Sequence, residues 1–164
     1  MTAKPTMDLS TISYRRLTPD DRDAVRELHA ALGRRDGYFR FFGPRPKHLD
    51  QLADIISTSD PTHCAFGAFL GAELIGVANY VVLPGTDCAE VAMVVAHAEQ
   101  QCGIGTALLT RLADAARRHG INRFAGDIMT TNSTMMQLLM EIDLPMSARR
   151  DDGIVHVVLQ LGKP

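Results

Sequence analysis

The sequence predicts an α+β domain built around one mixed sheet. Three observations carry that prediction. The 164 residues suit a single core, since domains typically run from about 100 to 200 residues. The hydrophobic rhythm changes along the chain from helical spacing to a succession of strand-like segments, which is the meander of an antiparallel sheet. A strand, loop, helix and strand follow and then a closing hairpin, with no internal repeat or low-complexity linker. Residues 11–164 therefore read as one domain behind a flexible leader over 1–10.

Thr11 to Leu17 alternates polar and bulky residues and reads as the first strand. Thr18-Pro19-Asp20-Asp21 then supplies a helix start: a capping hydroxyl, a proline for the first turn, and acids for the positive end of the dipole. Val25, Leu28 and Leu32 continue at helical spacing to about Gly33. Asp36 to Lys47 is aromatic, basic and broken by Gly and Pro, and is expected to be a loop or broken helix. A second helix is expected over Pro46 to Ser57, carried by Leu49, Leu52, Ile55 and Ile56. His63 to Leu70 and Glu73 to Leu83 form a hairpin around Gly71-Ala72, and Cys88 to Ala96 adds the next strand after Pro84-Gly85. Ile104, Leu108, Leu112, Ala115 and Ala116 line one face of a helix ending near His119-Gly120. Asn122 to Ile128 is the following strand and Asn132 to Glu141 the last helix. Met146 to Arg149 and Ile154 to Leu161 close the chain around Asp151-Asp152-Gly153.

Composition excludes several classes. The chain is 46% hydrophobic and 22% charged, with a formal net charge of -2, so no general positive field exists for nucleic acid or anionic lipid. Cys64, Cys88 and Cys102 are odd in number and lack metal-ligand spacing, which points to reduced thiols and no metal. No apolar run reaches the roughly 20 residues of a membrane span, and the polar start lacks a signal peptide's apolar stretch. A cytoplasmic protein is expected, with no membrane partner.

The segment Gln100-Gln101-Cys102-Gly103-Ile104-Gly105-Thr106 lies between a strand and an amphipathic helix. Its glycines let backbone approach a ligand, and the first N–H groups of the helix are unpaired donors that suit a phosphate or pyrophosphate. A plain strand-to-helix turn is the alternative. A Walker loop fails because Gly105 is followed by Thr106-Ala107 and not by Lys. A dinucleotide fingerprint fails because Leu108 stands where a third Gly belongs, although Asp127 lies near the place of a ribose-binding acid.

Gln100 with Gly103 and Gly105, after an apolar strand and opening a helix, resembles the acyl-CoA loop of the GNAT N-acetyltransferases. The resemblance extends over nearly the whole chain, including Asn132 at the start of the last helix with Met135 three residues on. It implies a GNAT fold: a mixed central sheet of about seven strands, a splayed fourth and fifth strand pair, and about four helices. More narrowly, Tyr38 to Phe42 and Ala89 to Val95 are similar to segments of bacterial protein lysine acetyltransferases that modify acyl-CoA synthetases. That subgroup is often fused to a nucleotide-binding or synthetase-like domain, and no such regulator is expected beside a chain that begins at the first strand.

The resemblance implies acetyl-CoA as acyl donor, held in the strand gap. Met93 and Val95 would offer backbone groups to the pantetheine arm, and an N–H near Val94 would polarise the thioester carbonyl. Gln100, Gln101, Cys102, Gly103, Ile104, Gly105 and Thr106 would hold the pyrophosphate, with Asn132 and Met135 against the coenzyme arm. Asn132 also suits a helix cap, and Met135 a place in the core. Glu90 is the expected general base, because an ammonium must lose its proton before it attacks. By strand alternation Glu90 shares a face with Ala92 and Val94, so an apolar setting is expected for it, with a solvent-facing strand Glu as the alternative. Family members often carry a Tyr where this chain has Leu139, so no general acid is assigned; a thiol of pKa about 8.5 leaves as thiolate. His63 and His97 are expected either near strand ends by the acceptor cleft or as ordinary surface or packed residues, and Arg34, Arg35, Arg40 and Arg45 either to ring the acceptor slot or to form a solvated basic face.

Three functions stay open at this point: acetylation of a protein lysine, acetylation of a small-molecule amine, and a catalytically silent acyl-CoA-binding sensor. A monomer or homodimer is expected.

Overall fold

The computed structural model describes residues 11–43 and 46–162. The expected leader, residues 1–10, and Arg45 lie outside them. The strands are β1 (Ile12–Arg16), β2 (His63–Leu70), β3 (Glu73–Val82), β4 (Cys88–Val95), β5 (Arg123–Met129), β6 (Met146–Asp151) and β7 (Ile154–Gln160). The helices are α1 (Arg22–Ala30), α2 (Arg34–Phe41), α3 (Leu49–Ser57), α4 (Ile104–Arg118) and α5 (Ser133–Glu141). One seven-stranded sheet has the order β1-β2-β3-β4-β5-β7-β6. Its pairs are antiparallel except β4 with β5, which is parallel. The result is the mixed α+β sheet the sequence predicts.

The helices cover both faces. On one, Val25, Leu28, Leu32, Ala53 and Ile56 from the α1 to α3 region pack on Ala65, Val77 and Val94. On the other, Ile104, Leu108, Leu112 and Ala116 of α4 pack with Leu139 on Ala78, Ala89, Phe124 and Val157. The apolar periodicity of α1, α3 and α4 is thus the stripe that each buries, which is what fixes amphipathic helices to a sheet.

The expected helix start at Thr18 holds, with a different device. Pro19–Asp21 forms a 3-10 turn before α1. The Asp21 carboxylate accepts the Thr18 N–H at 2.8 Å and both outer nitrogens of Arg15 at 2.8 Å. These bonds hold the Asp21 carboxyl below the usual carboxylate range.

The described residues contain five helices, in keeping with the expected count of about four. One of them is α2, over part of the segment expected to be a loop or broken helix. It lacks an apolar stripe, and its stability comes from tertiary contacts. Gly37 is buried, with Leu32 3.9 Å from where a Cβ would stand, and Asp36 accepts a hydrogen bond from His97 beyond β4 at 3.1 Å. The helix ends on Phe42, a left-handed residue with φ 57°.

Candidate active site

The site begins where the sheet comes apart. β4 and β5 pair over three residues only, Cys88 with Arg123, Ala89 with Phe124 and Glu90 with Ala125. Beyond that point β4 remains paired with β3 through Val95, while β5 remains paired with β7 through Met129. The gap opens into a cleft of about 1000 Å³ that runs from α2 and α3 through the sheet to the start of α4 and α5.

Register decides which backbone groups face the gap. The Leu83 N–H bonds the Cys88 carbonyl, and the Ala96 N–H bonds the Ile75 carbonyl. Since hydrogen-bonded pairs alternate in an antiparallel ladder, Glu90, Ala92 and Val94 turn their amides toward β3. Met93 and Val95 turn theirs into the gap. The register narrows the N–H expected near Val94: Val94 itself lies opposite Val77 in the ladder with its amide toward β3, and the donor next to it on the open side is Met93.

The loop after β4 is shaped by two left-handed residues, Gln101 with φ 64° and Gly103 with φ 82°. Gln101 has no glycine's freedom there, and strain of this kind concentrates at functional loops. The Ala107 N–H is the first in α4 to bond backward, to Gly103 at 3.0 Å, so the N–H groups of Ile104, Gly105 and Thr106 lack a helical partner. Gln100, Gln101, Gly103, Gly105 and Thr106 line the cleft. Gln100 has a further task, since its side-chain amide donates to the Val95 carbonyl at 3.1 Å and ties the loop to the end of β4. Ile104 and Cys102 face away. Ile104 is buried in the core, and the Cys102 thiol sits 3.5 Å from the Gln100 carbonyl. Gly105 lies where α4 passes α5: a Cβ there would stand 2.5 Å from Leu138 Cδ1, so the end of that side chain would have to shift to admit one.

Asn132 caps α5, its Oδ1 accepting the Met135 N–H at 3.2 Å, while Asn132 and Met135 also line the cleft. Leu139 is buried in the cleft wall.

Glu90 lies at the last rung before the gap and borders the cleft. It is exposed, which corrects the expectation of an apolar setting; the parting of the strands leaves its face open. It shares that face with Ala92, with Val81 across the β3 rung and with Ala125 on β5. Exposed apolar residues Phe42, Ile55 and Val81 stand along the same part of the cleft. Of the basic ring, Arg35 and Arg40 line the cleft and Arg34 does not. His97 borders it, paired with Asp36, whereas His63 is buried and structural: its ring bonds the Thr58 carbonyl at 2.6 Å and approaches Asn79 at 3.4 Å.

Sequence reasoning missed one pair near the site. Asp127 on β5 faces the cleft and bonds the His156 ring of β7 at 2.5 Å. Only the pairing of β5 with β7 brings these residues opposite each other.

A sheet parted beside a helix-opening loop, with amides turned into the gap and a carboxylate at its edge, defines the protein as an N-acetyltransferase. The chain belongs to the acetyltransferase (GNAT) family, whose profile matches residues 24–141. It is 28% identical over 155 residues to Acetyltransferase PA5475 of Pseudomonas aeruginosa, covering 88% of this chain and 82% of that one. It is similar to the GNAT domain of S. lividans PAT, with a TM-score of 0.79 and 26% identity over 90% of this chain and 89% of that one. The fold also matches yncA of Salmonella typhimurium, solved with its cofactor acetyl-CoA, with a TM-score of 0.75 and 18% identity over 94% and 96% of the two chains.

Proposed function

We propose that this enzyme transfers an acetyl group from acetyl-CoA directly to a primary amine, and that the amine is a lysine side chain of a protein. The observation that carries the reading is the continuity of the cleft. Its loop end offers unpaired N–H groups, its middle offers the Met93 and Val95 amides, and its open end carries Glu90.

The residues present fit the donor. The N–H groups of Gly105 and Thr106 and the positive end of α4 suit a pyrophosphate without any lysine or arginine. The Met93 and Val95 amides continue the β4 edge and would pair with the carbonyl groups of a pantetheine arm lying along it. The thioester supplies the activated acetyl group, and the rest falls to this chain. The Met93 N–H is placed to stabilise negative charge growing on a carbonyl oxygen, a contact that favours the transition state over the ground state. Glu90 takes the proton from the incoming ammonium, directly or through water. A lysine amine of pKa about 10.4 is otherwise almost wholly protonated at neutral pH.

The acceptor reading rests on two supports. Exposed Phe42, Ile55 and Val81 offer an apolar border to a lysine stem and the protein surface around it. The similarity to the GNAT domain of S. lividans PAT spans almost the whole catalytic fold. A small-molecule amine is the second reading, favoured by Arg35 and Arg40, which line the cleft without a carboxylate partner among the described residues.

The test is acetyl-CoA turnover followed as free thiol, with Glu90→Gln as the partner protein. Glu90→Gln is expected to lower kcat by about 10²–10⁴-fold while keeping the rise in melting temperature produced by acetyl-CoA. Equal rates would remove Glu90 as base, and binding without turnover on any amine would leave an acyl-CoA sensor. Mass spectrometry of cell extract incubated with enzyme and acetyl-CoA then identifies the acceptor; acetylated lysines support the protein reading, and an acetylated metabolite alone overturns it.

A further inference from the structure

The acceptor half of the cleft has walls of opposite charge. Glu90 and Asp127 stand on the strand side, and Arg35 and Arg40 on α2. Arg40 is the unusual member. Its guanidinium is partly withdrawn from water beside the Phe41 ring, 5.1 Å from the centroid, and burial pulls it below the usual arginine range. No carboxylate among the described residues pairs with it. Asp36, one turn back on the same helix, is engaged by His97 at 3.1 Å. The titratable neighbour on α1, His29, is kept neutral by burial and by the Arg40 charge and supplies no anion. Arg35 likewise has a ring contact, to Phe39 at 5.3 Å, and no carboxylate partner among the described residues. A desolvated cation facing a cleft is stabilised by an anion that arrives with a ligand, and a guanidinium fork suits a carboxylate. The coenzyme pyrophosphate is an unsuitable source, because α2 packs with α1 and α3 on one face of the sheet and α4 lies on the other.

We propose that Arg40, with Arg35 also lining the cleft, binds a carboxylate that the acceptor carries close to its reacting amine. This deepens the acetyl-transfer reading and rests on it. The shared chemistry is an amine with a neighbouring carboxylate, supplied by a free amino acid or by a lysine beside Asp or Glu in a protein.

Matched acceptors separate these sources. Free lysine is compared with 1,5-diaminopentane, and the peptide Gly-Lys-Glu-Gly with Gly-Lys-Gln-Gly, both amidated at the C-terminus. In at least one pair the wild type is expected to favour the carboxylate-bearing member by about tenfold or more in kcat/KM, as a charge-assisted contact does. The pair that shows the preference names the source. Arg40→Met should bring that ratio close to one with the KM for acetyl-CoA unchanged. No preference in either pair, a ratio that survives the substitution, or a raised acetyl-CoA KM each overturns the proposal.

Two measurements do not depend on turnover. Glutarate should raise the melting temperature of the wild type and not of Arg40→Met. Without ligand, Arg40→Met should melt at or above the wild-type temperature, because an unpaired cation has been removed from a partly dry site. A glutarate response that is absent from the wild type or equal in both proteins, or a clear fall in the melting temperature of ligand-free Arg40→Met, overturns the anion site. If the wild type acetylates none of the four acceptors while glutarate binding depends on Arg40, it is the acetyl-transfer reading that fails.

Discussion

Acid should unfold this protein through His29. The residue sits on α1 with 2% of its surface exposed, its Nδ1 bonded to the Val25 carbonyl at 2.8 Å and its ring 6.2 Å from that of Phe41. Burial, with some help from the Arg40 charge, pulls its pKa from 6.5 to about 4, against the opposing pull of the Val25 bond. Above pH 6.5 the ring is neutral in both folded and unfolded chains, so it adds no pH dependence. As the pH falls from there toward 4 the unfolded chain takes up a proton that the folded one refuses, and stability is lost throughout that window. Between pH 7 and 4.5 the loss is roughly 2.5 kcal/mol, a large share of a typical domain's stability. Urea denaturation at both pH values, on the wild type and on His29→Leu, isolates the effect. Asp21, Asp60 and Asp87 also have lowered pKa values, but their contributions vanish mainly below this window and are common to both proteins. The wild type should lose about 2.5 kcal/mol more than the variant. Parallel losses, or a His29 NMR titration with its midpoint near 6.5, would refute the reasoning.

Two further expectations concern the cleft walls. Gly105→Ala places a methyl 2.5 Å from Leu138 Cδ1, and moving that side chain offsets the up to about 1 kcal/mol that Ala gains over Gly in a helix; in urea unfolding the substitution should therefore be more favourable in a Leu138→Ala background than in the wild type. Asn132→Ala removes the bond to the Met135 N–H and should cost about 0.5–2 kcal/mol, seen as earlier amide exchange in the first turn of α5. Glu90→Gln and Arg40→Met, described above, test the chemistry and the acceptor.

Local pattern made most of the fold legible. The boundaries of β2 follow from Asp60-Pro61 and Gly71-Ala72, and the α4 stripe from Leu108 and Leu112. The extent of α2 was not legible, because Phe41 packed on the core beneath α1 and α3, and Asp36 on His97, join it to segments distant in sequence. The loop over Gln100 to Thr106 could be read as a phosphate site from its glycines, yet the two glycines are placed differently, Gly103 turning the chain and Gly105 lying where α4 passes α5. Glu90 was visible as a carboxylate on an apolar strand, but its exposure depends on where β5 departs. The same is true of the gap-facing amides. Alternation along β4 tells which side chains share a face, whereas the direction of each N–H follows from its register with β3. The Asp127 and His156 contact joins strands separated by α5 and β6, and no short-range pattern announces it.

The three rungs between β4 and β5 have a mechanical consequence. They make the sheet two blades on a short hinge, one of β1 to β4 and the other of β5, β7 and β6. Above the hinge no further β4–β5 rung joins the blades among the described residues. A ligand that bonds the open edges adds the missing rungs, so its arrival stiffens the sheet as well as filling a cavity. Amide exchange in the upper halves of β4 and β5 should therefore slow together when the donor binds and recover together when the spent coenzyme leaves.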